Sequence, residues 1–237
     1  MTIRLREQKQ SLVDDKIYLA DSLADISHQI RTPLTSINLL VSFLSDPDIT
    51  VERRGDLSRE LYSLLSRIDW LITTLLKMSK LDAGTVQFNS ETVPMAELIR
   101  KSTESVAIPM ELRGQELNVT ADGNFTGDMA WTSEAITNIV KNCMEHTPEG
   151  GRVSVTATDN PLFAEIIISD NGRGIAGEDL PHIFERFYKG KNSADNSFGI
   201  GLALARTIIT TQNGTIKAEN VLPNGAKFTI RFYKGTV

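Results

Sequence analysis

His28, the first of three histidines, lies in a stretch whose residue types suit phosphoryl transfer. The stretch reads SHQIRTPLT from Ser27 to Thr35. Ile26 and Ile30 fall on the apolar side of a helical pattern, so His28 is expected on the opposite face, in contact with solvent. Neutral imidazole is nucleophilic near neutral pH and can take a phosphoryl group. The pattern predicts a phosphate acceptor; a plain surface histidine is the alternative for this position taken alone.

A second stretch, DNGRGI from Asp170 to Ile175, has residue types that suit a nucleotide site. It follows an apolar strand pattern, so Asp170 lies where the chain leaves a sheet. A carboxylate there can accept a hydrogen bond from the exocyclic amine of adenine, which discriminates adenine from guanine. Gly172 and Gly174 let the backbone pass close to a base, and Ile175 would line the pocket. An Asp-Asn-Gly turn alone is common, so this prediction depends on the neighbouring segments.

Two asparagines, Asn138 and Asn142, are four residues apart on a predicted helix, and His146 continues the same face. Amide oxygens can join a Mg²⁺ shell beside phosphate oxygens without adding negative charge. The spacing predicts a magnesium and phosphate face, and a solvated helix face is the alternative for these residues alone.

Downstream, the segment 183–189 (IFERFYK) is aromatic and basic, and the polar stretch 189–197 suits a mobile lid. Gly199 and Gly201 then open a predicted helix. Backbone N–H groups at such a helix start can bind phosphates. Helix packing by small residues is the alternative for the glycine pair alone.

The first 83 residues show two apolar series with steps of three and four, which predict two long helices packed as an antiparallel hairpin. Asp48 or Thr50 would cap the second helix, and Pro33 would create a bendable point in the first. The hairpin cannot bury both apolar seams alone, so a dimeric four-helix bundle is expected. The series are Leu19, Leu23, Ile26, Ile30, Pro33, Ile37, Leu40 and Leu44, followed by Leu57, Leu61, Leu64, Ile68, Leu71, Leu75 and Met78.

From about residue 85 the pattern changes to strands alternating with helices, which predicts an α+β layer with one mixed sheet and helices on one face. The predicted strands are Thr85–Phe88, Arg152–Thr158, Glu165–Ser169, Thr215–Asn220 and Lys227–Phe232, and the predicted helices are Pro94–Val106, Asp128–His146 and Ile200–Thr211.

Composition excludes several classes of protein. The net charge of -5 gives no basic face for nucleic acid. The sequence has no apolar run of about 18 residues, so no membrane span is predicted. The single cysteine, Cys143, cannot form an internal disulfide, which favours a reducing compartment.

Taken together, these stretches resemble the sensor histidine kinases of bacterial two-component systems over nearly the whole chain. The stretch around His28 resembles the H-box, and the later segments resemble, in order, the N, G1, F, G2 and G3 boxes of the ATP-binding domain. The resemblance implies a Bergerat (GHKL-type) α/β sandwich at 88–237, after a dimerisation and phosphotransfer domain at 19–83. Residues 1–18, with Leu5 and Leu12, would continue a coiled coil from a missing sensor region.

The resemblance also implies roles for individual residues. His28 would be the phosphoacceptor, Asn142 the Mg²⁺ ligand and Asp170 the adenine contact. Thr32 matches the position thought to align a water for dephosphorylating the partner. The other nucleotide-binding positions implied are Asn138, His146, Gly172, Gly174, Ile175, Tyr188, Lys189, Gly199, Gly201 and Leu202, with Gly225–Phe228 as the G3 box.

Three positions depart from the family pattern. Gln29 stands where Glu or Asp usually accepts the proton of the histidine, and an amide cannot act as a base. It is either a natural variant or an engineered change, and Asp25 could substitute electrostatically. Glu145 stands where Lys or Arg often contacts phosphate. Ser197 replaces the first glycine of the G2 box.

The resemblance implies an enzyme that uses ATP and Mg²⁺ to phosphorylate His28 and then donates to an aspartate of a response-regulator receiver domain. A homodimer is expected, as a cytoplasmic fragment whose membrane link lies in a missing N-terminal region. The alternative is a phosphatase-dominated signalling module with weak kinase activity owing to Gln29 and Glu145. A gyrase-like ATPase is disfavoured because it leaves the H-box without a purpose.

Overall fold

A computed structural model of the chain describes residues 24–190 and 197–235. The chain forms two compact units, Met1–Thr73 and Thr74–Val237. The predicted coiled coil at 1–18 lies outside the described residues, as do Leu19 and Leu23 of the first apolar series. Most of the predicted lid, residues 191–196, also lies outside them.

The first unit contains helix α1, described over residues 24–44, and most of helix α2, Val51–Asp82. Thr50 caps α2, since its hydroxyl oxygen accepts a hydrogen bond from the Arg53 N–H at 3.2 Å. Both predicted helices are therefore confirmed. Most of the buried side chains of these helices, among them Pro33, Leu40, Leu57, Leu71 and Met78, belong to the two predicted apolar series, whereas Thr74 and Leu81 of α2 are buried outside them.

The second unit contains the last turns of α2 and a mixed sheet with three helices. The elements are β1 (Glu91–Pro94), α3 (Met95–Leu112), β2 (Glu116–Ala121), β3 (Asn124–Gly127), α4 (Met129–His146), β4 (Arg152–Asp159), β5 (Phe163–Asp170), α5 (Gly201–Thr211), β6 (Gly214–Asn220) and β7 (Ala226–Tyr233). Five strands form one sheet in the order β2-β4-β5-β7-β6, while β1 and β3 form a separate antiparallel pair.

Strands β2 and β4 are parallel, and the other pairs of the large sheet are antiparallel. Alternate residues of β5 and β7 are buried, so one sheet face packs on the core. Helices α3, α4 and α5 pack on the large sheet: α3 contacts β2, α4 contacts β5 and α5 contacts β6. Large core side chains include Ile136, Ile139, Ile166, Phe228 and Ile230.

Helix α4 begins sharply because Asp128 caps it. One carboxylate oxygen of Asp128 accepts hydrogen bonds from the N–H groups of Ala130 (2.9 Å) and Trp131 (3.0 Å). Its other oxygen accepts from the Asn89 N–H at 3.0 Å. This cap sets the start of the helix that carries Asn138 and Asn142.

The predicted strand Thr85–Phe88 is wrong. The N–H and hydroxyl of Thr85 both donate to the Lys80 carbonyl and close the end of α2. The Phe88 ring packs against Trp131 with centroids 5.8 Å apart. The segment is thus held by capping and ring contacts rather than by strand pairing.

Three strands, β1, β2 and β3, were absent from the predicted elements, and so was the separate β1–β3 sheet. β2 lies at the edge of the large sheet and is mostly exposed, yet Leu117, Val119 and Ala121 alternate with polar residues along it, and this alternation is the sequence signal that could have predicted the strand. β3 has only four residues. Helix α3 also continues past the predicted end at Val106 to Leu112, through Pro109.

Within residues 24–190 and 197–235, no helix combines the length and hydrophobicity that a membrane span requires.

Candidate functional site

His28 lies on α1 with its side chain exposed, as the helical pattern predicted. Thr32, one turn further, is also exposed, and its hydroxyl donates to the His28 carbonyl at 3.3 Å. Gln29 is half-buried and Pro33 is buried within the same helix. The imidazole can therefore be reached by a reaction partner from solvent.

In the second unit, α4 carries the three polar residues predicted for one face. The Asn138 amide nitrogen donates to the Glu134 carbonyl at 2.9 Å, so its side-chain oxygen is left for other contacts. Asn142 is half-buried, and its side-chain amide makes no hydrogen bond within the described part of the chain. A half-buried amide with no protein partner fits a ligand-binding role.

Asp170, at the end of β5, is only 6% exposed. Its Oδ1 accepts hydrogen bonds from the N–H groups of Gly172 (2.9 Å) and Ala226 (3.3 Å). Burial raises the pKa of the neighbouring Cys143 thiol well above its usual value, and the Asp170 carboxylate raises it further. Asp170 is thus a buried carboxylate whose orientation is fixed by two backbone donors through one oxygen.

The turn after Asp170 packs tightly against the end of α4. A Cβ added to Gly172 would lie 2.4 Å from the His146 carbonyl oxygen, so a larger residue does not fit. Further along the turn, the Asn220 amide contacts Ile175 twice. Its oxygen accepts from the Ile175 N–H at 2.8 Å, and its nitrogen donates to the Ile175 carbonyl at 2.7 Å.

The His146 ring contacts the guanidinium of Arg173, a residue of the turn that follows Asp170. Nη2 of Arg173 lies 3.2 Å from Nδ1 of His146. A guanidinium can only donate, so Nδ1 accepts and the ring proton resides on Nε2. Burial lowers the pKa of His146, and the charge of Arg173 lowers it further, while Asp170 opposes the shift. His146 therefore presents a neutral imidazole to the site.

Glu145, next to His146, introduces an acidic group at the end of α4. Burial raises its pKa, although Lys141 and Arg113 act in the opposite direction. The Lys141 ammonium is 4.0 Å from the Glu145 carboxylate. The acidic side chain is thus retained near the predicted phosphate face with only a loose ion pair.

The Tyr188 side chain is hydrogen-bonded to the buried carboxylate of Asp179. Its hydroxyl donates to Asp179 at 2.7 Å, and this hydrogen bond, with burial, raises the pKa of Tyr188 to about 12. Gly199 adopts a φ of +69°, and an added Cβ would lie 2.4 Å from the Tyr188 carbonyl. Lys189, the next residue after Tyr188, is exposed.

Helix α5 starts beside α4. A Cβ added to Gly201 would lie 3.2 Å from the Asn138 side-chain oxygen. Leu202 is half-buried at the same helix start, and Gly174 lies against Asn220. The structure therefore brings together three pairs of predicted residues: Asn138 with Gly201, His146 with Gly172, and Tyr188 with Gly199.

The sequence-based prediction assigned no role to Asn220, Asp179 or Arg173, although all three contact predicted site residues. Each makes its contact across a tertiary junction or a turn, which periodicity does not show. The only sequence signal for Asn220 was its place at the end of a predicted strand, and Asn is common at strand ends for many reasons.

Comparison with known proteins identifies two family domains. Residues 18–84 match the His Kinase A (phospho-acceptor) domain. Residues 127–236 match the histidine kinase-, DNA gyrase B- and HSP90-like ATPase domain. The first match contains His28, and the second contains Asn138, Asn142 and Asp170.

The chain is similar to curated proteins of the same kind. It is 29% identical to the signal transduction histidine-protein kinase/phosphatase MprB of Mycobacterium sp. (strain KMS), covering 94% of this chain and 44% of that protein. It is 31% identical to the heme sensor protein HssS of Staphylococcus saprophyticus, covering 89% of this chain and 45% of that protein. The chain therefore spans less than half the length of these relatives.

The fold is also that of a solved kinase. The histidine kinase ThkA, solved in complex with the response regulator protein TrrA, superposes with a TM-score of 0.70 at 22% identity, covering 91% of this chain and 61% of that one. The predicted family and the predicted fold class, a helical region followed by a Bergerat-type α/β domain, are confirmed. The chain belongs to the ATP-using protein-histidine kinases of two-component systems, as a core made of a phospho-acceptor domain and an ATP-binding domain.

Proposed function

We propose that this chain phosphorylates His28 with the γ-phosphate of ATP and then passes the phosphoryl group to an aspartate of a response-regulator receiver domain. The observation that carries the proposal is the exposed imidazole of His28 within the matched phospho-acceptor domain. An ATP-binding domain follows in the same chain.

The chemistry at His28 is a displacement at phosphorus. An imidazole nitrogen attacks the γ-phosphorus, the bond to the β,γ-bridging oxygen breaks, ADP leaves and the imidazole loses a proton. Transfer depends mainly on in-line positioning and charge neutralisation. In the second step an aspartate oxygen of the regulator attacks the same phosphorus, the N–P bond breaks and the leaving imidazole nitrogen takes up a proton from solvent, which returns His28 to the neutral form.

ATP recognition is proposed at the Asp170 turn. The buried carboxylate, oriented by Gly172 and Ala226, would accept a hydrogen bond from the adenine amine. Gly172, Gly174 and Ile175 would surround the base. The remaining predicted contacts, to ribose and phosphates, are Asn138, His146, Tyr188, Lys189, Gly199, Gly201 and Leu202.

Asn142 is the proposed Mg²⁺ ligand. Its amide is half-buried and makes no hydrogen bond with the rest of the described chain, which suits an oxygen donor for a metal. The ranges 24–190 and 197–235 contain no cluster of three or more His, Cys, Asp or Glu that could hold a metal. Phosphate oxygens of the nucleotide would therefore supply other ligands. Bound Mg²⁺ would neutralise charge on the triphosphate.

A homodimer is part of the proposal. Large apolar side chains remain exposed on both helices: Leu34, Leu39, Val41 and Phe43 on α1, and Tyr62, Leu65, Ile72 and Leu76 on α2. A second copy of the hairpin would cover them in a four-helix bundle. Light scattering coupled to size-exclusion chromatography tests this; a monomer at micromolar concentration would contradict it.

A second candidate function is a phosphatase-dominated module with weak kinase activity. Gln29 supports it because an amide beside His28 cannot take the imidazole proton. Glu145 supports it because its negative charge would oppose the triphosphate. The relative MprB is named a kinase/phosphatase. Thr32, exposed one turn from His28, is the residue proposed to orient a water for dephosphorylation.

Incubation with ATP labelled on the γ-phosphate tests the main proposal. The expected result is label that is labile to acid and stable to base, and that is lost in His28→Gln. His182→Gln is the matched control, because His182 is also an exposed histidine, and it should keep the label. The label should then move to a purified receiver domain.

Other outcomes separate the alternatives. Absence of label, together with faster loss of phosphate from a phosphorylated regulator, would favour the phosphatase module. Sustained ATP hydrolysis that His28→Gln leaves unchanged would contradict both. Membrane attachment through a segment outside this sequence, in a protein whose core is cytoplasmic, stays a prediction.

A further inference from the structure

The two-point contact between Asn220 and Ile175 fixes one end of the Asp170 turn. One side-chain amide satisfies both the N–H and the carbonyl of Ile175, at 2.8 and 2.7 Å. Asn is one of the few side chains that can accept and donate from adjacent atoms in this way. Asn220 itself is exposed at the end of β6, so its contact with Ile175 is not a consequence of packing in a buried core.

The other end of the turn is held by the cross-strand neighbour of Asn220. Asn220 pairs with Ala226 in the β6–β7 ladder. The Ala226 N–H donates to Oδ1 of Asp170 at 3.3 Å. A single register pair of the terminal hairpin therefore holds both Asp170 and Ile175, the first and last residues of the turn.

We propose that Asn220 is a positioning residue that sets the nucleobase selectivity of the site. This inference rests on the proposed binding of adenine between Asp170 and Ile175. Because β6 and β7 are rigidly paired, the contact fixes the backbone of Ile175 at a set spacing from the Asp170 carboxylate. That spacing determines whether a base can reach the carboxylate with its amine while it packs on Ile175.

Loss of the contact releases only the Ile175 end of the turn. Asp170 keeps the N–H donors of Gly172 and Ala226. The carboxylate remains in place while the opposite wall of the base site becomes mobile. Selectivity for adenine over guanine should therefore fall more than the stability of the fold.

The test compares Asn220→Ala with Asn224→Ala, measuring ATP and GTP dissociation constants and amide hydrogen exchange at Ile175. Asn224 is the matched control: it lies in the same β6–β7 connection, is exposed and makes no hydrogen bond with any described residue. Asn220→Ala is expected to weaken ATP binding about tenfold, as two lost hydrogen bonds predict. The ratio of GTP to ATP dissociation constants should fall by a similar factor, and exchange at Ile175 should accelerate.

Asn220→Asp keeps an acceptor for the Ile175 N–H and loses the donor to its carbonyl. It is expected to retain protection of the Ile175 amide and to lower the selectivity ratio about threefold. This variant decides the matter if Asn220→Ala does not fold. An unchanged selectivity ratio in both variants, or an equal loss in Asn224→Ala, would overturn the role of Asn220. Failure of the unmodified chain to prefer ATP over GTP would instead overturn the proposed nucleotide site.

Discussion

His28 and Asp170 are the residues on which the proposed chemistry depends, and their surroundings differ in construction. His28 is exposed on one helix, and the contact near it, from the Thr32 hydroxyl to its carbonyl, stays within one turn. Asp170 is buried and accepts hydrogen bonds from its own turn and from Ala226 on another strand. The contact beside the proposed phosphoacceptor lies within one helical turn, whereas the proposed nucleotide site is assembled from segments that are distant in the sequence.

The difference follows from what each residue has to do. A phosphoacceptor must be reached by two different partners in turn, so exposure on a helix serves it. A base-binding carboxylate must hold its direction, since selectivity depends on a fixed hydrogen-bond geometry. Substitutions near His28 should therefore act on chemistry alone, while substitutions near Asp170 should act on binding.

Asp170→Asn should produce the largest change in binding. An amide keeps an oxygen for the Gly172 and Ala226 N–H groups, so the fold should persist. It removes the charged acceptor for the adenine amine, and ATP affinity should fall about 100-fold. Isothermal titration calorimetry measures this. Asp159→Asn, at the exposed end of β4, is the control; ATP affinity that survives in Asp170→Asn would break the assignment.

Gln29→Glu should increase the rate of His28 phosphorylation by about 10- to 100-fold, because a carboxylate can accept the imidazole proton. ATP affinity should not change, since the effect is confined to the acceptor helix. Initial rates with labelled ATP at saturating concentration measure it. Gln29→Asn retains an amide and should give no increase. A rate for Gln29→Glu equal to that of the unmodified chain would show that proton removal does not limit the reaction.

Glu145→Gln should tighten ATP binding about fivefold, because it removes a negative charge from the predicted phosphate face. The gain should be smaller for ADP and absent for adenosine. Glu149→Gln, an exposed glutamate just beyond α4, is the control. Equal gains for ATP and adenosine would mean that Glu145 does not act on the phosphates.

The same variant should change stability with pH. Burial raises the pKa of Glu145 in the folded chain above its usual value of 4.5. As pH rises, the unfolded chain loses the proton first, so the folded state is penalised above pH 4.5 and the penalty is complete above the folded pKa. Glu145→Gln should thus be more stable than the unmodified chain at pH 7, and the gain should vanish as pH falls through 4.5. Urea unfolding at pH 7 and below pH 4.5 measures the free energy of unfolding of both proteins. A gain in stability that does not depend on pH would contradict the titration of Glu145.

Asp82→Asn should have the smallest effect. Arg186 donates to both carboxylate oxygens of Asp82, at 2.7 and 2.8 Å, yet the Asp82 side chain is 45% exposed. Partly exposed pairs contribute below about 1 kcal/mol, and less at high salt. A double-mutant cycle with Arg186→Gln measures the coupling free energy of unfolding. A coupling free energy well above about 1 kcal/mol would show that this ion pair at the end of α2 contributes as much to stability as contacts in the core do.

Much of the fold could be predicted from local signals. The two apolar series gave α1 and α2, and Thr50 and Asp128 marked helix starts, because helix periodicity and capping depend on residues within a turn or two. Strand β2 was missed although Leu117, Val119 and Ala121 alternate with polar residues along its six residues. Thr85–Phe88 was mistaken for a strand because its contacts, to Lys80 and Trp131, lie outside the local pattern.

By itself, the sequence determined the chemical groups available: an outward imidazole, a carboxylate after an apolar strand, and paired amides on one helix face. These depend on residue type and short-range periodicity. Only the tertiary structure decided what holds them. The contacts of Asn220 with Ile175, Tyr188 with Asp179 and Arg173 with His146 arise where elements meet. Such meetings depend on how elements pack, which is a property of the whole chain rather than of any short segment.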